Sequence, residues 1–217
     1  MGDTWKESVA RVVKALEKLD SERETLLKTT RELTRLARET VFSIHTGKLE
    51  EAGRLIEEMR VKFSEIAAFR EREPLLFYSG AVNNALTEYV EAVSLYTVVK
   101  EWRIPTLEEL GVTYSSYLAG LGDLVGELRR YALNMVREGN LEKAWRALSL
   151  MEEIYVEVSK LSFPEALIPG VRHKMDVARS LIENTRKDLL FYEKSGELIS
   201  ALREAVETFR EGRHGGG

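Results

Sequence analysis

The fold is decided by the stretch YSGAVNNALTEYVEAVSLYTVV, which runs from residue 78 to residue 99. Its only side chains that are charged at neutral pH are Glu88 and Glu91. Their spacing places the two carboxylates on one side of a helix, about 60° apart at 3.6 residues per turn. An unpaired carboxylate is costly to bury, so it either takes up a proton or lies beside a cation. We therefore expect an apolar helix whose two acids belong to a functional site.

A second stretch, VTYSSYLAGLGDLVGEL at residues 112–128, carries only Asp123 and Glu127, about 40° apart on a helix. If the two helices pack together, the four acids converge, although surface carboxylates are the ordinary alternative. Two like charges about 4 Å apart repel by roughly 4 kcal/mol at an effective dielectric near 20, so a converged set needs a counter-ion. An all-oxygen set suits Mg²⁺, Mn²⁺ or Ca²⁺ rather than zinc. The pattern predicts a site for Mg²⁺, with Mn²⁺ as the substitute.

The composition limits the protein to a few classes. The chain has 217 residues and a formal net charge of −4. It contains no cysteine, so disulfides and thiolate metal sites are excluded. No apolar stretch is long enough to span a bilayer, and the N-terminus does not have the pattern of a signal peptide, so we expect a cytoplasmic protein with no membrane partner. Because the bulk charge is negative, binding to RNA would need a local basic surface.

Helix signals dominate, and they predict an all-α, single-domain bundle of about seven helices over residues 1–211, followed by a disordered Gly-rich tail at 212–217. Capping boxes begin at Thr4 and Ser21, so the first helix is either one long helix to about 45 or two in line. The further helices are expected at about 49–70, 76–101, 115–137, 141–160, 171–194 and 195–210. Thr106 and Glu109 form a third capping box, which predicts one additional short helix.

The first helix carries a row of basic side chains spaced three, four, three and seven residues apart, within about 100° of one another. The row consists of Lys28, Arg31, Arg35, Arg38 and His45. A different face should pack inward, and it consists of Leu26, Leu33, Ala37, Val41 and Ile44. From spacing alone, the row is more simply a solvated face with pairs such as Lys28 to Glu32 and Arg35 to Glu39.

Arg130 follows Glu127 by three residues, which places a guanidinium on the same face as the second acid pair. Its planar fork matches the geometry of a phosphate group, so Arg130 is a candidate phosphate clamp. It is equally suited to be an ion-pair partner of Glu127.

At these residues the chain resembles the translin family, and within it the branch of translin-associated factor X (trax). The resemblance is carried by EYVEAVS at 88–94 and DLVGELRR at 123–130. The order of elements before them is also similar, from RELT at 31–34 through RETVF at 38–42 to His45. The resemblance covers about residues 21–194 of the chain. The two acidic motifs are fairly specific, because the trax branch has the full acid set and the translin branch lacks it.

The resemblance implies an all-helical subunit of a closed, hollow, octamer-like shell that acts on RNA. Trax-like subunits are magnesium-dependent endoribonucleases, and their catalytic acids map onto Glu88, Glu91, Asp123 and Glu127. Eukaryotic members act as translin–trax hetero-complexes, whereas here a homo-oligomer is expected. We therefore predict cleavage of single-stranded RNA by a metal-activated water, which leaves a 5′-phosphate and a 3′-hydroxyl. Arg130 would orient the phosphate, and the basic row on the first helix would hold flanking nucleotides.

Two other functions remain open at the level of sequence. The first is a non-catalytic, translin-like protein that binds single-stranded nucleic acid and keeps the acids without using them. The second is an all-α nucleoside triphosphate pyrophosphohydrolase, which also holds magnesium with paired acids on adjacent helices. The usual pattern of those enzymes is Glu-x-x-Glu followed by Glu-x-x-Asp, and the Asp-x-x-x-Glu found here departs from it.

Overall fold

The computed structural model describes residues 4–214, with side chains for 4–208. This part of the chain contains helices and no strands, so the predicted all-α class is confirmed. The helices are α1 (Trp5–His45), α2 (Leu49–Ala67), α3 (Phe69–Arg72), α4 (Pro74–Phe77), α5 (Gly80–Glu101), α6 (Leu107–Leu110), α7 (Tyr114–Arg137), α8 (Leu141–Ser159) and α9 (Val171–His214). None of these helices is long and apolar enough to cross a membrane.

The first helix begins and ends where local sequence predicts. The Thr4 hydroxyl accepts a hydrogen bond from the Glu7 amide at 3.4 Å, and the Glu7 carboxylate accepts one from the Thr4 amide at 2.8 Å, which completes the capping box. Ser21 starts no new helix, because α1 is continuous through it. Past the end of α1, Gly47 has a φ of +77°, a left-handed conformation that glycine adopts without steric cost.

The structure corrects the number of helices and several of their ends. The described residues form nine helices instead of about seven, because three one-turn helices are present, α3, α4 and α6, and the last two expected helices form one. Pro74 stands in the first turn of α4, where its missing amide hydrogen costs nothing, so α5 begins at Gly80 and not near residue 76. The two helices expected after residue 171 are one helix, α9, because a single interior glycine, Gly196, costs only about 1 kcal/mol. Residues 212–214 belong to α9, whereas 215–217 lie outside the described residues, so a tail there stays a prediction.

The helices group into two compact units. The single domain expected over 1–211 stays a prediction. The first unit contains the chain up to Leu124 together with Ala166–Pro169. In it, α1 packs against α2 and α5, and α2 also contacts α5. The inward face expected on α1 is confirmed: it is buried at Leu26, Leu33, Ala37 and Ile44 and partly buried at Val41.

Aromatic packing completes the core of the first unit. Phe63 on α2 stacks on Tyr89 of α5, with ring centroids 5.0 Å apart and the planes 3° from parallel. Phe77, at the end of α4, is fully buried in the same core. Each large apolar side chain that is fully buried contributes about 1.5–3 kcal/mol relative to an exposed one, so this core holds α5 against α1 and α2.

The second unit consists of Val125–Glu165 and the chain from Gly170, which comprise the rest of α7, α8 and α9. Arg129 on α7 donates to the Thr185 hydroxyl at 2.8 Å and to the Asp188 carboxylate at 2.9 Å, both on α9. Arg186 on α9 donates to Glu152 on α8 at 2.6 Å. These hydrogen bonds tie α9 to both of the other helices in the unit.

Candidate nucleic-acid and metal site

Three arginines of the predicted basic row line a groove of the first unit. Arg31, Arg35 and Arg38 lie on α1, and all three side chains are exposed. Together with residues of α5 such as Asn84, they surround a volume of about 650 Å³. Glu39, which also lines the groove, offsets one of the three guanidinium charges. The groove is still locally positive on a chain whose net charge is negative, as binding to an RNA backbone requires.

The two ends of the predicted row do not join the groove. Lys28 is exposed and His45 is half-buried, and neither is among the described side chains that line this space. The pairs expected for a solvated face are only partly present. Arg35 donates to both carboxylate oxygens of Glu39 at 2.7 Å, whereas Glu32 pairs with Lys62 of α2 at 3.2 Å. The part of the basic row that lines the groove is therefore shorter than the sequence suggests, because it lacks Lys28 and His45.

The acid pair of α5 lies where this groove ends. Arg38 Nη2 is 3.3 Å from Glu88 Oε1, within hydrogen-bonding distance. The hydrogen bond and charge of Glu88, with a smaller contribution from the charge of Glu91, raise the pKa of the Arg38 guanidinium above its ordinary value. Both carboxylates are half-buried. One predicted RNA-binding residue, Arg38, thus contacts one predicted catalytic acid, Glu88, which spacing in the sequence could not show.

A close contact between α5 and α7 lies beside Glu88 and Glu91, one turn before Asp123. A Cβ atom on Gly120 of α7 would lie 2.5 Å from the Val90 Cβ and 2.9 Å from the Thr87 carbonyl oxygen, both on α5. No real side chain tolerates such distances. Glycine at this position therefore allows the two helices to approach each other within the first unit.

Hydrogen bonds near the start of the two helices set their relative direction. Asn83 Oδ1 accepts hydrogen bonds from the hydroxyls of Ser115 at 2.7 Å and Ser116 at 2.9 Å. The contact at Gly120 lies further along both helices, so α5 and α7 run in the same general direction where they meet. Asp123 follows Gly120 by three residues, as Glu91 follows Thr87 by four. Asp123 accordingly lies one turn beyond this contact on α7, and Glu91 directly follows Val90, which forms the contact on α5.

The last acid and the candidate phosphate clamp belong to the second unit. Glu127 is one turn beyond Asp123 on α7, and its side chain is half-buried. Arg130 Nη1 lies 3.8 Å from Glu127 Oε2, which is an ion pair and too long for a hydrogen bond. Since the Arg130 side chain is 54% exposed, this pair contributes little to stability and leaves the guanidinium accessible.

The chemistry of the donors fits Mg²⁺, because all four predicted ligands are carboxylates and Mg²⁺ prefers oxygen. The predicted ligands are not grouped as closely as the ligands of a metal centre. Among the residues whose side chains are described, no three His, Asp or Glu side chains are grouped so that they could hold a metal ion. Glu88 is instead engaged with Arg38. The four-carboxylate metal site therefore stays a prediction.

Sequence reasoning missed the residues of α5 that face the basic row. Asn84 lines the groove together with Ala81 and Ala85, one turn before Glu88. The available signal was the pair Asn83 and Asn84, two adjacent amides in an otherwise apolar stretch.

Comparison with known proteins places the chain in a family. The model of the Translin family matches residues 21–186. The Methanocaldococcus jannaschii protein MJ0175 is 30% identical over 193 residues, which cover 85% of this chain and 82% of that protein. Translin-associated protein X of Mus musculus is 24% identical over 172 residues, which cover 61% of this chain and 59% of the mouse protein.

Solved structures agree with this placement. The structure of AfC3PO in complex with duplex RNA is 34% identical and superimposes with a TM-score of 0.79, covering 87% of this chain and 97% of that one. Apo-NeC3PO is 25% identical with a TM-score of 0.77, covering 85% and 96%. The resemblance inferred from the two acidic motifs is confirmed, and the chain belongs to the Translin family as a translin/trax-like member.

Proposed function

We propose that this protein is a Mg²⁺-dependent endoribonuclease that binds single-stranded RNA in the groove lined by Arg31, Arg35 and Arg38. The observation that carries the proposal is the contact between Arg38 and Glu88 at 3.3 Å. It joins a surface suited to phosphates directly to a pair of half-buried acids. The similarity to a protein solved in complex with duplex RNA supports RNA as the ligand.

The arginines would position the RNA. Arg31 and Arg35 are spaced one turn apart, so they can contact phosphates along one strand, and each contact would make binding salt-dependent. Arg35 can exchange Glu39 for a phosphate at little cost, because an ion pair between exposed side chains is worth at most about 1 kcal/mol. Arg38, next to the acids, would hold the phosphate closest to the site of cleavage.

The acids Glu88, Glu91, Asp123 and Glu127 would hold Mg²⁺, with Glu91 and Asp123 as direct ligands and Glu88 or Glu127 as ligand or base. When bound, Mg²⁺ lowers the pKa of water and neutralises charge that develops on the phosphate. Arg130, whose ion pair with Glu127 leaves its guanidinium accessible, would orient the phosphate. Glu88 must leave Arg38 to act as a ligand, and the 71% exposure of the Arg38 side chain makes that exchange inexpensive.

We also propose that the chain acts as a homo-oligomer, an octamer by resemblance. In support, the first turns of α1 carry an apolar stripe at spacings of four, three and four residues that is largely exposed in the single chain. The stripe consists of Trp5, Val9, Val12 and Leu16, with exposures of 72%, 51%, 56% and 57%. Such a heptad-like face is typical of a surface that packs against another helix. Light scattering at micromolar protein should give several times the monomer mass of 24.7 kDa, and a monomer would contradict the shell.

A non-catalytic RNA-binding protein is the second candidate, because the described residues present no group of three acids poised for a metal. One experiment separates the two. Labelled single-stranded and duplex RNA are incubated with the protein in Mg²⁺, Mn²⁺ or EDTA and resolved on denaturing and native gels. Cleavage in Mg²⁺ that EDTA abolishes supports the nuclease, whereas retention without cleavage supports the binder. Failure to retain either RNA would reject both.

A further inference from the structure

A second cavity of the first unit, with a volume of about 350 Å³, lies beside the start of α5. Tyr78, Asn83 and Asn84 line one part of it, and Leu167 and Pro169 of the Ala166–Pro169 segment line another. The size lies within the range of small-molecule sites, roughly 300–1,000 Å³, and a lining of apolar groups with a few polar ones is typical of them. Apart from Asn84, which also lines the basic groove, none of these residues has a role in the RNA-binding or cleavage site proposed above.

The amide of Asn83 is held in a fixed orientation with its donors unused. Its Oδ1 accepts hydrogen bonds from the Ser115 hydroxyl at 2.7 Å and the Ser116 hydroxyl at 2.9 Å, which occupy both lone pairs. Its Nδ2, which carries two N–H donors, makes no hydrogen bond to any residue that the structure describes. The group therefore presents donors to a ligand that carries an acceptor, such as a carbonyl oxygen.

Tyr78 provides an aromatic face at the same cavity. Its side chain is 67% exposed, and its ring stands edge-on against Phe77, with centroids 5.0 Å apart and an angle of 85°. Because Phe77 is buried in the core, it supports the ring from one side. Leu167, which is 63% exposed, supplies an apolar surface in the same cavity. Flat ligands stack on such aromatic faces.

The cavity adjoins the basic groove, because Asn84 lines both. A strand whose phosphates lie along Arg31, Arg35 and Arg38 would therefore pass the mouth of the cavity. Unpaired bases of RNA are commonly turned out, stacked on aromatic side chains and read through hydrogen bonds on their edges. Base-paired residues of a duplex cannot enter such a site without unstacking.

We propose that this cavity is a nucleobase subsite, which takes one unpaired base with a carbonyl edge, stacked on Tyr78 and hydrogen-bonded by the Asn83 amide. The inference rests on the proposed RNA binding and adds a base preference to it. Uracil O2 and O4 can accept hydrogen bonds from Asn83 Nδ2. The acceptor nitrogens N1 and N7 of adenine flank its N6 amino group, for which Asn83 has no free acceptor because Ser115 and Ser116 occupy its Oδ1, so adenine fits less well.

The test compares the affinities of oligouridine and oligoadenosine 12-mers for the full chain by fluorescence anisotropy in EDTA. Because oligoadenosine stacks on itself, each variant is compared with wild type on the same oligomer. Tyr78→Ala should weaken binding of oligouridine about tenfold, the usual scale for one lost base stack, and should affect oligoadenosine much less. Tyr78→Phe should bind like wild type, and so should Tyr192→Ala, since Tyr192 is an exposed tyrosine that does not line the cavity.

Asn83→Asp provides an independent check. An aspartate keeps the acceptors for Ser115 and Ser116 but replaces the amide donors, so it should weaken oligouridine more than oligoadenosine. Melting followed by circular dichroism verifies that each variant is folded. The subsite would be overturned, with RNA binding intact, if Tyr78→Ala and Asn83→Asp each changed the affinities for the two oligomers equally. It would also be overturned if neither variant changed the affinity for either oligomer. If wild type binds neither oligomer, the proposed function itself fails.

Discussion

Arg38 on α1 donates a hydrogen bond to Glu88 on α5 at 3.3 Å, although 50 positions separate the two residues in the chain. Their side chains are 71% and 31% exposed, so the pair is worth no more than about 1 kcal/mol. Its importance is positional. It places the only acids in the apolar stretch of residues 78–99 at the end of a groove lined by arginines.

Replacing Arg38 with Gln should make the acids bind Mg²⁺ more tightly and RNA more weakly. The guanidinium competes with a metal for Glu88, so its removal should lower the Mg²⁺ concentration for half-maximal cleavage by a few-fold, up to about fivefold for a pair of this exposure. The loss of one phosphate contact should reduce the salt slope of binding by roughly 0.7 for a single strand. Titrations of Mg²⁺ and of KCl measure the two effects.

Arg31→Gln is the matched control for that experiment. Arg31 lines the groove, but its Nε donates to the Leu27 carbonyl oxygen at 3.1 Å and not to an acid. It should therefore show the lower salt slope with an unchanged Mg²⁺ midpoint. If both variants shift the Mg²⁺ midpoint equally, the shift results from the loss of a positive charge in general and not from competition between Arg38 and the metal for Glu88.

Asp123→Asn and Glu91→Gln should each reduce cleavage by orders of magnitude, because they remove the charge that a metal needs while keeping the shape of the side chain. RNA binding in EDTA should persist, since it is assigned to the arginines. Without Mg²⁺ each variant should melt at or above the wild-type temperature, because repulsion among the acids is relieved. Single-turnover cleavage, anisotropy and thermal melting measure the three quantities.

An exposed acid away from the groove, Glu58 on α2, serves as the control through Glu58→Gln. It should cut RNA at the wild-type rate. Wild-type rates in the Asp123 and Glu91 variants would remove the four-carboxylate site. Mass spectrometry of the wild-type products should find 5′-phosphates, and 2′,3′-cyclic phosphates would exclude attack by water.

Gly120→Ala should destabilise the protein by about 1–3 kcal/mol, the usual cost of overpacking. Alanine gains about 1 kcal/mol of helix propensity, but its Cβ would meet Val90 at 2.5 Å and the backbone oxygen of Thr87 at 2.9 Å, which cannot move without moving α5. Gly126→Ala on the same helix meets only Leu181 at 4.0 Å, so it should be neutral or stabilising. Urea unfolding compares the two, and a stable Gly120→Ala would mean that the helices are not held this closely.

Alkaline pH should destabilise the fold through Tyr89. Burial raises the pKa of the Tyr89 hydroxyl above its ordinary value of 10.0. A group with a raised pKa contributes its full stability below the unfolded value and loses it as the pH rises through the folded value, so stability should fall above about pH 10. Tyr89→Phe cannot ionise and should unfold less readily than wild type at pH 11 while matching it at pH 8. Identical pH profiles for the two proteins would show that the pKa of Tyr89 is the same in the folded and unfolded states.

Local sequence determined much of this protein, because a helix has a fixed period of 3.6 residues. The Thr4-x-x-Glu7 motif predicted the first capping box, and the helical period predicted the all-α class and the buried face of α1 at Leu26, Leu33, Ala37 and Ile44. It also placed each acid pair on one side of its helix. Some of the predicted helix ends were wrong. Pro74 and Gly196 influence the backbone by a few kcal/mol or less, and packing can override effects of that size.

Only the tertiary structure decided which of these faces meet. The contact of Arg38 with Glu88, the approach of α7 to α5 at Gly120 and the shared position of Asn84 between two cavities join segments that are tens of residues apart. Helical periodicity tells which side chains share a face, but not which face of another helix they oppose. That choice depends on the summed packing of the whole core, where a single glycine sets the distance between two helices.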